Sequence, residues 1–199
     1  TVPLSILKSN MIEFHPPLPK NKQTAIQTIG MDAGMKIILS FSKRFWSKRM
    51  MGFLTKHQIG CGWTPGKLPK NGTNRFLTCF IMGDNAKWFS SLTQQEKKQQ
   101  CLLELDEMFP PKKATKHFVQ MYCMDWSKEP YIQGAYSYPS RNTIPPTGPT
   151  MRERLAEPIN DQIFFAGEAT ATNHPATVHG ALESARTAIR YMLKLSNRG

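Results

Sequence analysis

Carboxylates are the scarce group in this sequence: 14 Asp and Glu stand against 26 Lys and Arg, a formal charge of +12. The deficit lies in the first half, where residues 1–100 carry 15 basic and 4 acidic side chains, while residues 101–199 carry 11 and 10. A half this basic can attract nucleic acid, anionic lipid or an acidic partner. Its Lys and Arg are scattered rather than clustered, a pattern that equally describes a solvated face. Cysteine is sparse too. Cys61, Cys79, Cys101 and Cys123 are too far apart for any C-x-x-C metal or redox motif, and no metal site is expected. Cys79, Cys101 and Cys123 sit in apolar surroundings and read as small buried hydrophobes, which suits a reducing, intracellular compartment, cytoplasmic or organellar. No apolar run reaches the roughly 18 residues of a membrane-spanning helix, and no secretory leader opens the chain. Thr1 follows no initiator Met and begins strand-like sequence (Thr1-Val2-Pro3-Leu4), so a piece of a longer protein is expected.

What is present is globular in composition: 40% hydrophobic and 20% charged, enough for one large domain or two small ones. Pro16, Pro17 and Pro19 mark an extended link. Ala25, Ile26 and Ile29 at helical spacing predict a helix over 22–29, with Gly30 as its C-cap. Residues 35–41 and 76–82 are strand-like, and 117–126 and 130–138 are two further strand-like stretches. Residues 47–75 read as loops with one or two short strands. Within them Gly60 to Gly66 superficially looks like a phosphate loop, but Trp63 and Pro65 intrude where small residues and a helix start are needed. Thr93 and Glu96 form a capping-box signature for a helix that Pro110-Pro111 stops. Residues 139–150, with four prolines, are the best linker candidate.

The stretch with most chemical content lies near the end: Ile163-Phe164-Phe165-Ala166-Gly167-Glu168-Ala169-Thr170, then His174-Pro175-Ala176-Thr177-Val178-His179-Gly180-Ala181. It reads as a short buried strand, a Gly-Glu corner, a polar turn and a long helix to Leu195. That arrangement aims backbone N–H groups and the positive end of a helix dipole at an anionic or electron-rich ligand.

Three features occur in one order: Lys36 in an apolar strand before Phe45-Trp46, the run from Trp126 to Gly134-Ala135-Tyr136, and the terminal Phe-Ala-Gly-Glu motif with its helix. Together they resemble the C-terminal portion of the flavin-containing amine oxidases, the family of monoamine, polyamine and L-amino-acid oxidases and of the flavin-dependent histone lysine demethylases. The resemblance covers nearly the whole chain. It implies an α/β fold: an α+β substrate-binding domain over 11–150, with 1–10 and 151–199 belonging to a Rossmann-like FAD-binding domain. The G-x-G-x-x-G unit of that domain is absent from this sequence.

The resemblance also assigns roles. Gly167 and Glu168 face the cofactor region, and the Thr177 and Val178 amides stabilise negative charge at the N1–C2=O edge of a reduced flavin. Lys36 holds a water at flavin N5, where hydride arrives and oxygen reacts. Tyr136 is an aromatic wall for the substrate amine, and Trp126 and Tyr131 line the cofactor or the pocket. His174 and His179 are turn and helix-start residues. Ala135 stands where monoamine oxidases carry the cysteine that bonds flavin, so the FAD is expected to be non-covalent. Thr177 replaces their second aromatic wall, and Ser184-Ala185 replaces Ser-Gly, which loosens a helix contact.

The implied activity is oxidation of an amine or amino-acid C–N bond, hydride passing to flavin and O2 returning as H2O2. Two alternatives stand beside it. One is another flavin oxidase of the superfamily, of the protoporphyrinogen-oxidising or carotenoid-desaturating kind. The other is a non-catalytic remnant that uses its basic face for partners.

Overall fold

The computed structural model describes residues 1–65 and 75–197. In chain order the elements are α1 (Leu4–Lys8), α2 (Lys20–Thr28), β1 (Gly30–Met31), β2 (Gly34–Phe41), β3 (Gly52–Leu54), β4 (Cys61–Trp63), β5 (Phe76–Met82), α3 (Gly83–Ser91), α4 (Gln94–Met108), α5 (Lys113–His117), β6 (Phe118–Asp125), β7 (Ser137–Tyr138), α6 (Met151–Ala156) and α7 (Val178–Ser196). This mixture of helix and sheet is an α/β fold. It divides into two compact units, 33–127 and the discontinuous pair 1–32 with 128–199.

The first unit is a five-stranded antiparallel sheet, ordered β3-β4-β5-β2-β6. Strict alternation on β2 sends Met35, Ile37, Leu39 and Phe41 to one face, where they are buried. Leu77, Cys79 and Ile81 of β5 join them, and α3 and α4 cover that face with Ala86, Phe89, Cys101 and Leu105. The Thr93 capping box forms as the sequence predicts: its hydroxyl accepts from the Glu96 N–H, and Glu96 returns to the Thr93 N–H. Glu104, buried on α4, accepts from the Gln58 and Ile59 amides and anchors the turn before β4.

Residues on β2, β5 and β6 that pair in register share a face. The opposite face therefore carries Lys36 beside Phe80 and Met124, and Ile38 beside Thr78 and Tyr122. Ile38, Tyr122 and Met124 are exposed there.

The second unit packs α2 against α6 around Leu4, Ala25, Ile26, Ile29, Met151 and Leu155. β1 pairs with β7 as a two-stranded ribbon. Lys22 of α2 is buried, and its ammonium donates to the Arg154, Leu155 and Glu157 carbonyls at the end of α6, over the Phe165 ring at 4.5 Å. A cation there answers both the orphan carbonyls and the negative end of the helix.

Several local expectations are corrected. Thr1-Val2-Pro3-Leu4, read as strand-like, forms no strand, and Leu4 begins the helical turn α1. Gly30 is not a C-cap: it lies in β1 with the Tyr138 ring in the space a Cβ would take. Residues 83–91 are a helix, and of 130–138 only the last two residues are strand. Residues 163–165 form no named strand and make one backbone bridge, Ile159 to Ile163; an apolar run becomes a strand only where a neighbouring strand supplies hydrogen bonds. Ile163 is exposed rather than buried. In the stretch set aside as a false phosphate loop, Cys61–Trp63 is strand, while Gly66 lies outside the described residues.

Candidate active site

The site residues fall into two sets, one in each unit. In the sheet unit, Lys36 extends from the open face into a group of rings. Its ammonium lies 5.2 Å from the Trp126 ring centroid, 5.4 Å from Trp63 and 5.9 Å from Phe80. Ring faces attract a cation and hold the ammonium in position. Sequence reasoning named Lys36 and Trp126 but missed Phe80 and set Trp63 aside. Only the β4-β5-β2 register brings Trp63 and Phe80 to the lysine; Trp63 pairs with Thr78 and Phe80 with Lys36.

In the other unit the Gly-Glu corner is built by hydrogen bonds. Gly167 takes φ +144, which favours glycine. Its N–H donates to the Ser184 hydroxyl at 2.9 Å, and that hydroxyl donates back to its carbonyl at 3.0 Å. Ser184 thus ties the corner to α7. Glu168 accepts from the Ser137 N–H at 3.0 Å, the Ser137 hydroxyl at 2.6 Å and the Ala176 N–H at 2.9 Å. These bonds satisfy a carboxylate in a half-buried position. They also join the residue after Tyr136 to the residue before Thr177.

Tyr136 itself stands between two backbone anchors, because the Ala135 N–H donates to Asp32 and Ser137 is held by Glu168. It is 36% exposed. Behind this corner lies Arg152, 5% exposed, which the sequence reading did not single out. It donates to the Ser137 hydroxyl at 2.7 Å and the Ala169 carbonyl at 3.0 Å. Burial lowers its guanidinium below the usual arginine value, and Glu168 opposes that shift.

Thr177 caps α7, its hydroxyl accepting from the Gly180 N–H at 3.0 Å. Val178, the first helical residue, is 89% exposed. Gly180 is fixed by contact: a Cβ there would lie 1.9 Å from the His174 carbonyl oxygen. His174 pairs with Glu183 at 3.1 Å and packs on His179, as turn and helix-start residues do; the same pairing lowers the Glu183 carboxyl. Tyr131 is 77% exposed and joins neither set.

Beside the corner is an apolar cavity of about 450 Å³, lined by Leu4, Met31, Ala135, Phe165, Gly167 and Ala169 among others. Its size is that of a small-molecule site. An open helix start, a glycine corner with no atom within 4 Å of its absent side chain, and an adjoining apolar cavity fit a planar ring system with an anionic edge.

Comparison with known proteins agrees. The family described as flavin containing amine oxidoreductase matches residues 1–193. Lysine-specific histone demethylase 1 homolog 1 of Oryza sativa subsp. japonica is 34% identical over 189 residues, covering 92% of this chain and 22% of that protein. Polyamine oxidase 2 of Arabidopsis thaliana is 34% identical over 181 residues, covering 90% of this chain and 35% of its own length. Cyclohexylamine oxidase from Brevibacterium oxydans IH-35A superposes with a TM-score of 0.76 at 21% identity, over 98% of this chain and 42% of that one, and shares the fold. The chain thus spans roughly a third or less of the length of these two curated relatives. With its motifs, fold and sequence in agreement along nearly its full length, the chain belongs to the flavin-containing amine oxidase family.

Proposed function

We propose that this chain supplies the substrate-binding sheet and the cofactor-facing corner of an FAD-dependent amine oxidase. The observation that carries the reading is Lys36, held on an open sheet face by Trp63, Phe80 and Trp126 without a carboxylate among them. Polyamine oxidase 2, among the relatives named above, carries a name that describes amine oxidation. The chemistry a bound flavin would supply is two-electron oxidation of the amine C–N bond, with O2 as the final acceptor and H2O2 as its product.

This chain's residues perform the other tasks. The Lys36 ammonium stabilises negative charge developing on oxygen and orients a water, its rings keeping it from pairing with an acid. Tyr136 presents an aromatic face to the substrate amine. The amides of Thr177 and Val178 at the start of α7 hold negative charge on the cofactor edge, and Gly167 lets the ring system approach. Glu168 positions these parts through Ser137 and Ala176. Trp126 borders the substrate beside Lys36. Ala135 offers no thiol, so the FAD is held non-covalently. Residues 11–150 form the substrate domain in this reading, and 1–10 and 151–199 belong to the FAD domain.

One further feature supports it. Val178, Leu182, Ile189 and Leu193 form an exposed apolar stripe along α7. Such a stripe suits packing against more protein, in this reading the dinucleotide-binding part of the FAD domain.

The test is expression of the complete gene product, or of this chain with its complement. A yellow flavin spectrum and peroxide release across a panel of amines are expected. A complete protein that stays colourless in the presence of FAD would overturn the reading in favour of a binding module.

A further inference from the structure

The open face of the sheet is chemically one-sided. Register pairing sets Leu54, Cys61, Phe80, Lys36 and Met124 in one row across the five strands, and Trp63, Thr78, Ile38 and Tyr122 in the next. Lys36 is the only charged residue in these rows, and no carboxylate stands in either. The nearest strand acid, Asp125, pairs with Met35 and belongs to the helix-covered face, where it accepts from the Ser90 hydroxyl and the Ser127 N–H. Leu54 is 77% exposed and Tyr122 58%, so these side chains are available at the surface of this unit.

We propose that this face selects a monoamine with an apolar, ring-bearing or alkyl body and rejects polycations. The inference rests on the amine-oxidase reading and narrows its substrate class. An apolar body gains by covering Ile38, Tyr122, Met124 and the Trp63 ring, because each removes apolar surface from water. A second ammonium laid along the same rows finds no carboxylate, loses hydration, and meets the like charge of Lys36. Selectivity here comes from the missing acid as much as from the aromatic surface.

Two measurements decide it. In the flavin-loaded protein, kcat/KM for benzylamine should exceed that for spermidine by about 100-fold, the scale on which an apolar pocket sorts its ligands. Tyr122→Glu, which places a carboxylate in the face, should raise the spermidine to benzylamine ratio by about tenfold, the effect of one charge pair. In the 199-residue chain without cofactor, benzylamine and hexylamine should shift tryptophan emission, spermidine should not, and Trp63→Phe should diminish the response. Spermidine turning over faster than benzylamine, or spermidine alone perturbing the tryptophans, overturns this inference and leaves the oxidase reading standing. Loss of flavin and of all turnover overturns the oxidase reading, and the tryptophan titration then settles the specificity of the face by itself. A mass that doubles with concentration and reverts on Tyr122→Glu would assign the face to a second copy and overturn the proposal.

Discussion

The two units are held together by different physics. The unit of 33–127 is a sheet whose inner face is apolar along β2 and β5 and is covered by helices carrying Ala86, Phe89, Cys101 and Leu105. The unit of 1–32 and 128–199 has little sheet, and its segments are joined by buried polar groups: Lys22 on the end of α6, Arg152 and Glu168 on Ser137, Ser184 on Gly167. An apolar core tolerates rearrangement provided volume and pattern are kept. A polar network does not, because removing one member leaves its partner buried and unpaired. The difference explains why the candidate cofactor corner lies in the second unit, since backbone amides and carboxylates there are aimed by specific bonds. The sheet offers a surface on which one cation is displayed.

That contrast can be broken most severely at Arg152. Arg152→Ala should cost the discontinuous unit about 3–5 kcal/mol, the effect of breaking a buried charged network. Hydrogen exchange should show lost protection in α6 and around Ser137, with β2 and β5 unaffected. Equal loss in both units would end the distinction. Gly180→Ala should cost about 3 kcal/mol, the upper range for overpacking, because its Cβ meets the His174 carbonyl. Calorimetry on the variant checks this.

Lys36→Met should do the reverse and change reactivity without changing either core. Flavin reoxidation in the complete enzyme should slow by about 100-fold, as when one electrostatic donor is removed, while flavin affinity is retained. Stopped-flow reaction of the reduced enzyme with O2 reads the effect, and an unchanged rate removes the role given to Lys36.

Lys22 offers a pH test. Burial lowers its ammonium from 10.5 to about 8, with Glu157 acting in the opposite direction. The unfolded chain then binds more protons between about pH 8 and 10.5, so this group's contribution to stability rises with pH across that window. It is fully present above it and lost as pH falls through about 8. Urea unfolding of wild type and Lys22→Met should diverge in favour of wild type over that range; parallel curves would place the lysine in water.

The smallest effects compare the units on equal terms. Thr93 and Thr150 each begin a capping box, on α4 and α6 respectively. Thr93→Ala and Thr150→Ala should each cost about 1 kcal/mol. A larger value at Thr150 would show that the short α6 relies on its cap as well as on Lys22.

Two strands of the sheet unit and the start of α4 could be read from residues 35–41 and 76–82 and from the Thr93-x-x-Glu96 signature, because these are local patterns with a fixed period. The Thr150-x-x-Glu153 box was equally legible and was passed over inside a proline-rich stretch. The terminal motif and its helix were legible as well, but the strand read before it was not borne out, since strand formation depends on a neighbour that no local pattern reports.

By itself the sequence determined the family, the capped start of α4, the strands at 35–41 and 76–82, and the positions of Lys36, Glu168 and Thr177. Tertiary structure alone decided their surroundings. Register set Trp63 and Phe80 around Lys36, folding brought Arg152 and Ser137 onto Glu168 from 16 and 31 residues away, and close approach made Gly180 indispensable. Periodicity and caps are encoded within a few residues. Cages and buried networks are made of groups distant in sequence, and become specific only once the chain has closed around them.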